Sequence, residues 1–234
     1  MRAGRRRCFT YVQVMPGSGP SAHLRPTRWV TRGCLPRNID FAHVLRESTL
    51  ALQMNYNHAR QGRRGLVLTK HDRSGGPEIT SRIGLRSAAV EVTDGLDLVD
   101  LVLRHAGIDY LICDEACFYT VEQIEQLADL VDDHCVDVYA FGLASDFRSI
   151  MFPAAQRLFE LADEVCRLQV EVLCWCGRPG QLNARVVGGV MVRTGEQVVI
   201  GDTRAADTPV RYQVLCRRHH RQGDLGPAPA QVAR

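Results

Sequence analysis

Two carboxylates, Asp114 and Glu115, stand where the apolar run Ile108–Cys113 ends. In an open α/β sheet the carboxyl ends of the strands line the ligand crevice, so acids placed there meet whatever binds. An Asp in that position can hold Mg2+ in the Walker B manner, and the carboxylate after it can serve as a general base. On spacing alone the favoured reading is that the pair merely caps the strand or the following turn. Two nearby features shift the weight. Phe118 and Tyr119 follow at once and give an aromatic wall. The next strand-like run, Val136–Phe141, ends in the same manner, with Gly142 and Leu143 and then Asp146, Phe147 and Arg148. Two neighbouring strand ends carrying charged and aromatic side chains suit a planar ligand with a polar edge.

A second group of residues has metal-ligand spacing. Cys174-Trp175-Cys176-Gly177 is followed by Cys216-Arg217-Arg218-His219. Two short ligand pairs, each on its own turn, are what tetrahedral zinc requires. The C-x-x-H half has ordinary spacing, whereas the C-x-C half is one residue shorter than usual. His220 is the alternative fourth ligand. Four protein ligands leave no open position, so the expected role is structural. The short β-like segment between the pairs has little core of its own and needs such a staple.

The elements that must carry these residues alternate. Ser48–Arg60 reads as a helix with Leu52, Asn55, Tyr56 and Ala59 on one face, and Gly65–Lys70 as a short buried strand. His71–Ser87 reads as a long loop, and Asp97–His105 as a short amphipathic helix. Thr120 and Gln123 stand three apart as a capping box opening a helix to about Asp133. Pro153–Ala162 is a helix with Pro in its first turn. Strands alternating with helices predict an α/β fold, a mainly parallel sheet with helices on both faces. The expected organisation is an aberrant or disordered segment over 1–43, an α/β domain over 44–164, a zinc-binding β subdomain over 165–220 and a disordered tail over 221–234.

Bulk properties narrow the partners. The 234-residue chain has a formal charge of +3, too mild for a nucleic-acid surface. No apolar run approaches membrane-spanning length, and the basic Met1–Arg7 lacks a following apolar stretch. The nine cysteines are an odd number. Cys113, Cys117, Cys135 and Cys166 sit among apolar neighbours and read as buried thiols of a cytoplasmic protein. Lys70 is the sole lysine.

Taken in order, these stretches resemble the type II thymidine kinases, from about Ser48 to His220. Ser48-Thr49 opening a helix is similar to the end of that family's phosphate loop. Asp114-Glu115-Ala116-Cys117-Phe118 resembles its D-E-A-Q-F. Gly142-Leu143 through Asp146-Phe147-Arg148 and Phe152 resembles its G-L-x-x-D-F-R-x-x-x-F. Val199, Ile200 and Tyr212 resemble the loop that closes over the nucleoside. The resemblance implies a P-loop NTPase-like fold with a zinc-ribbon-like subdomain, usually assembled as a homotetramer. It implies transfer of the ATP γ-phosphate to the 5′-hydroxyl of thymidine, with Mg2+ as cofactor and structural Zn2+. Ser48, Thr49, Asp114, Glu115, Ala116 and Cys117 would face the nucleotide, with Glu115 as the base. Phe118, Asp146, Phe147, Arg148, Val199, Ile200 and Tyr212 would face the nucleoside. Cys174, Cys176, Cys216 and His219 would hold the zinc.

The chain departs from the family's pattern at the phosphate loop. Arg46 stands where its second Gly belongs, and Glu47 where its Lys belongs. Glycine's backbone freedom is lost, and an anion meets the phosphates. No strand pattern is read before this stretch. The codons for His43–Glu47 can be read one base later as Met-Xaa-Cys-Gly-Lys, which predicts a frameshift ahead of Ser48. Cys117 replaces Gln. The alternatives are a member that binds nucleoside without turnover and an unrelated zinc-binding interaction module.

Overall fold

The computed structural model describes residues 8–14, 47–70, 78–80, 86–167, 172–197 and 210–227. Six strands form one sheet: β1 (Phe9–Val14), β2 (Gly65–Thr69), β5 (Val90–Glu91), β6 (Tyr110–Asp114), β7 (Asp137–Leu143) and β8 (Glu164–Arg167). Their order is β5-β2-β6-β7-β1-β8, and every pairing is parallel. β3 (Glu78–Thr80) and β4 (Arg86–Ala88) make a separate antiparallel pair. A three-stranded antiparallel sheet, β10-β9-β11, is built from β9 (Leu182–Val187), β10 (Val190–Val192) and β11 (Val210–Leu215).

Strand parity divides the core between the two faces of the main sheet. Leu111, Cys113, Val138 and Ala140 point to one side, where they meet α2 (Leu98–Arg104), α3 (Val121–Asp132) and α4 (Pro153–Leu161). Tyr110, Ile112, Tyr139 and Phe141 point to the other side, against Leu50, Ala51, Leu52 and Met54 of α1 (Glu47–Arg60). Helices therefore cover both faces, as a fully parallel sheet requires. Gly65 allows the close approach there: a Cβ at that position would lie 2.2 Å from the Tyr110 ring.

Local signals explain the helix starts. Thr120 Oγ1 accepts from the Gln123 N–H, and the Gln123 side chain accepts from the Thr120 N–H, both at 3.1 Å. Such a box stabilises by about 1 kcal/mol. The Asp97 carboxylate accepts from the Asp100 N–H at 2.8 Å and caps α2.

Several expectations are corrected. Phe9–Val14 is a strand inside the main sheet, so the first 43 residues are not wholly unstructured and a strand does precede the phosphate-loop stretch. Tyr56 is 62% exposed and Ala59 is also exposed; α1 is buried at its amino-terminal half instead, because that half lies over the sheet. The stretch read as a loop over 71–87 contains β3 and the start of β4. Cys135 is exposed and Cys166 half-buried, whereas Cys113 and Cys117 are buried. β8 pairs with β1, so the main sheet runs past residue 164. The chain stays packed beyond Arg221: Trp175 Nε1 donates to the Asp224 carbonyl at 3.2 Å, and Gln213 Nε2 to that of Leu225 at 2.9 Å. Among the described residues no helix is long and apolar enough to cross a membrane.

His58 couples this packing to pH. Its ring stacks on Tyr139 at 5.3 Å, and its Nδ1 accepts from Arg63 Nη1 at 2.9 Å. Burial, then the Arg63 cation, holds its pKa below the ordinary value, with Asp137 opposing. The unfolded chain therefore takes up this proton first as pH falls. The stabilisation is complete above about pH 6.5 and is lost on acidification through the lowered folded value. The thermal midpoint is expected to drop between neutral and mildly acidic pH, and His58→Gln is expected to flatten that drop. Melts of both proteins across the range check it.

Candidate active site and metal centre

Parallel registration brings the proposed chemistry to one edge. Thr69 is level with Asp114, so β2 and β6 end together; Val14 is level with Leu143, so β1 and β7 end together; and Cys113 is level with Ala140, so this second pair runs slightly further at the same edge. α1 begins at the same edge. The Ser48 hydroxyl donates to Asp114 Oδ2 at 3.2 Å, joining the opening turn of α1 to the end of β6. Asp114 and Thr49 are buried. A hydroxyl and a carboxylate oxygen side by side are hard donors of the kind Mg2+ takes, so the residues present fit that ion.

Glu115 stands in the left-handed region, with φ 52°. For a non-glycine residue this costs roughly 1–2 kcal/mol, and such strain gathers at functional sites. It turns the chain sharply from β6 into a single 3-10 turn, Ala116–Phe118, closed by the Phe118 N–H on the Glu115 carbonyl at 3.0 Å. Cys117 Sγ lies 3.9 Å from Glu115 Oε2. Gly142 permits this turn to sit against β7: a Cβ there would be 2.9 Å from the Cys117 nitrogen. Phe118 packs edge-on against Phe152 at 5.3 Å.

The loop after β7 is organised by Asp146. Its Oδ1 accepts from the N–H groups of Arg148 and Ile150 at 2.8 and 3.1 Å, and its Oδ2 accepts from Arg148 Nε at 2.7 Å. Asp146 thus spends these bonds on its own loop and fixes the Arg148 guanidinium. Phe147 is buried, with the Arg185 guanidinium 3.8 Å from its ring centre. Tyr212 is half exposed on β11 and level with Arg185 on β9. Val199 and Ile200 lie outside the described residues, as does Arg46, whereas Glu47 is the first residue of α1. Lys70, at the end of β2, is buried and paired with Asp94 at 2.5 Å.

The four metal-ligand candidates converge. The donor atoms of Cys174, Cys176, Cys216 and His219 all lie within 4.8 Å of one another. Cys176 Sγ and Cys216 Sγ are 4.0 Å apart, and Cys174 Sγ is 3.3 Å from His219 Nδ1. A tetrahedron with Zn–S bonds of about 2.3 Å has edges of about 3.8 Å, so the set fits zinc. Cys174 and Cys176 come from a turn closed by the Gly177 N–H on the Cys174 carbonyl at 2.8 Å. Cys216 and His219 come from the start of α5 (Arg217–Gln222). The His219 N–H held toward Cys216 lowers that thiol's pKa, which favours the ligating thiolate. Trp175 stacks on the His219 ring at 4.3 Å. His220 is not in the cluster: its Nε2 faces the carbonyls of Phe147 and Asn183 at 2.9 and 3.0 Å. Arg185, buried beside Phe147 and Tyr212, was not singled out by spacing; its signal is a lone cation inside the strand run Leu182–Val187.

A parallel sheet that gathers a helix-opening Ser-Thr pair and a strand-end Asp-Glu pair defines the class: an α/β phosphotransferase fold with a Cys/His-bound β appendage. The thymidine kinase family profile matches residues 47–220. A thymidine kinase of Cutibacterium acnes is 55% identical over 184 residues, covering 77% of this chain and 85% of the relative. One from Streptomyces coelicolor is 53% identical over 180 residues, covering 75% and 83%. One from Rhodopirellula baltica is 36% identical over 182 residues, covering 75% and 82%. The chain belongs to the thymidine kinase family.

Zinc analysis of the purified chain is expected to give one metal per chain. Cys216→Ala should lower that ratio and the thermal midpoint together, because three ligands remain around an unscreened charge. Retention of full metal in that variant would exclude this ligand set.

Proposed function

We propose that the chain phosphorylates thymidine, transferring the γ-phosphate of ATP to the 5′-hydroxyl to give dTMP for DNA precursor synthesis. The observation that carries the reading is the Ser48–Asp114 hydrogen bond beside the strained Glu115, at the shared carboxyl edge of the parallel strands. Family membership narrows the substrates to thymidine and ATP. Ser48, with Thr49 beside it, and Asp114 would hold Mg2+; when bound, that ion neutralises charge on the phosphates. The turn over Ala116 and Cys117 would border the nucleotide.

In the transfer, the 5′-oxygen bonds to the γ-phosphorus as the bond to the bridging oxygen of ADP breaks. The hydroxyl proton passes to the Glu115 carboxylate. Phe118 packs against the base. Arg148, aimed by Asp146, steadies the polar side of the pocket, with Phe147 behind it. Val199, Ile200 and Tyr212 belong to the stretch assigned to covering the nucleoside, which excludes water that would otherwise take the phosphoryl group. Zinc on Cys174, Cys176, Cys216 and His219 braces that stretch and takes no part in the chemistry. A homotetramer in the cytoplasm is the assembly and place this reading carries.

Glu47 bears on the rate. It puts an anionic residue at the first position of α1, where helix N–H groups and a lysine would otherwise meet the phosphates. A second reading, nucleoside binding without turnover, rests on this residue and Arg46. The assay is ATP- and Mg2+-dependent phosphorylation of thymidine by the chain as it stands, beside Arg46→Gly/Glu47→Lys. Restoring the phosphate-facing cation is expected to raise kcat by about 10²–10³-fold, the worth of one charge-stabilising group. Glu115→Gln in the restored chain is expected to abolish most turnover while thymidine still binds. Thymidine binding with no turnover in either chain would select the second reading.

A further inference from the structure

Arg185 is a buried cation whose partners among the described residues are neutral. Its Nε donates to Tyr212 Oη at 3.0 Å. Its Nη1 donates to the Glu196 carbonyl at 2.9 Å and its Nη2 to that of Gln197 at 3.4 Å. Its flat face lies 3.8 Å from the Phe147 ring centre. Burying a guanidinium without an acid is costly unless its donors and its face are all used. Here one side chain on the middle strand of the small sheet engages both neighbouring segments of that sheet and the loop after β7.

Phe147 is also gripped from behind. His220 Nε2 reaches its carbonyl at 2.9 Å and that of Asn183 at 3.0 Å, while His220 Nδ1 lies 3.3 Å from Ser149 Oγ. Ring and carbonyl of one residue are thus both held by the metal-bearing part of the chain. The neighbouring Asp146–Arg148 bonds carry that placement to the guanidinium at the strand end.

We propose that Arg185 is a positioning residue for the nucleoside: by joining Phe147, Tyr212 and the Glu196–Gln197 backbone it sets the spacing between the β7 loop and the small sheet. The proposal rests on the reading of the chain as a thymidine kinase. The bonds and ring contacts of Arg185 go to Phe147, Tyr212, Glu196 and Gln197 and not to Ser48, Asp114 or the Cys/His cluster, so it acts on thymidine binding and leaves ATP binding alone.

The test uses the full zinc-loaded chain. Calorimetry measures thymidine binding to the chain as it stands, to Arg185→Ala and to Arg185→Lys; kinetics are run on the same changes in the Arg46→Gly/Glu47→Lys background. Arg185→Ala is expected to weaken thymidine binding and raise its KM about ten-fold, with the KM for ATP changed less than about two-fold and zinc content unaltered. Arg185→Lys, which keeps one donor but loses the planar fork and the stacking face, is expected to lose about three-fold. Equal changes in both KM values and kcat, or loss of zinc, would show a merely structural role and overturn the proposal. If Arg185→Ala does not fold, unchanged thymidine affinity in Arg185→Lys overturns it as well. A parent that neither binds nor phosphorylates thymidine removes the functional reading itself and the proposal with it.

Discussion

The ladder that β1 makes with both β7 and β8 holds the main sheet together. An interior strand of a parallel sheet satisfies backbone groups on both of its sides, and a gap there would leave two rows of buried N–H and C=O groups without partners. Phe9–Val14 fills that slot over six register positions with β7 and four with β8. Its alternation serves both faces: Phe9 and Tyr11 enter the core beneath α3 and α4, and Val12 enters the core beneath α1. Without it β8 has no neighbour, and β7, whose end carries Gly142 and the Asp146 loop, becomes an edge.

From that sheet the site follows by geometry. Parallel strands end together, so the acids after β6 and the loop after β7 share an edge with the start of α1. Glycine at 142 lets the turn after Glu115 rest directly on β7. Asp146 spends its carboxylate on its own loop, so the guanidinium of Arg148 is aimed before any ligand arrives. Such prior ordering lowers the entropy that binding must overcome.

Much of this was legible in the residues. The capping box at Thr120–Gln123, the strand ending at Asp114 and the two Cys/His pairs that converge each depend on short-range patterns that packing did not override. What escaped did so for physical reasons. Phe9–Val14 has the aromatic and β-branched content of a strand, but it is short and flanked by Arg, Pro and Gly, and only the slot between β7 and β8 gives it a partner. Helical spacing grouped Leu52, Asn55, Tyr56 and Ala59 on one face, yet Leu52 is buried while Tyr56 and Ala59 are exposed, because the sheet is met by Leu50, Met54 and His58 instead. Cys135 looked apolar in context and sits at an exposed turn with φ 56°. Arg185 carries no motif; its importance comes from residues far along the chain that fold around it.

Trp175 has a consequence of an optical kind. Its indole lies nearly flat on the imidazole of His219, 4.3 Å away with 13° between the rings, and Gly226 packs so close that a Cβ there would lie 2.5 Å from the indole Cγ. The only other tryptophan is Trp29, outside the described residues. The electronic state of that imidazole therefore sits in direct contact with one of two intrinsic fluorophores. An ion held by Cys174, Cys176, Cys216 and His219 would change that imidazole, so its loading or loss would be read in the emission of the chain itself, without a dye.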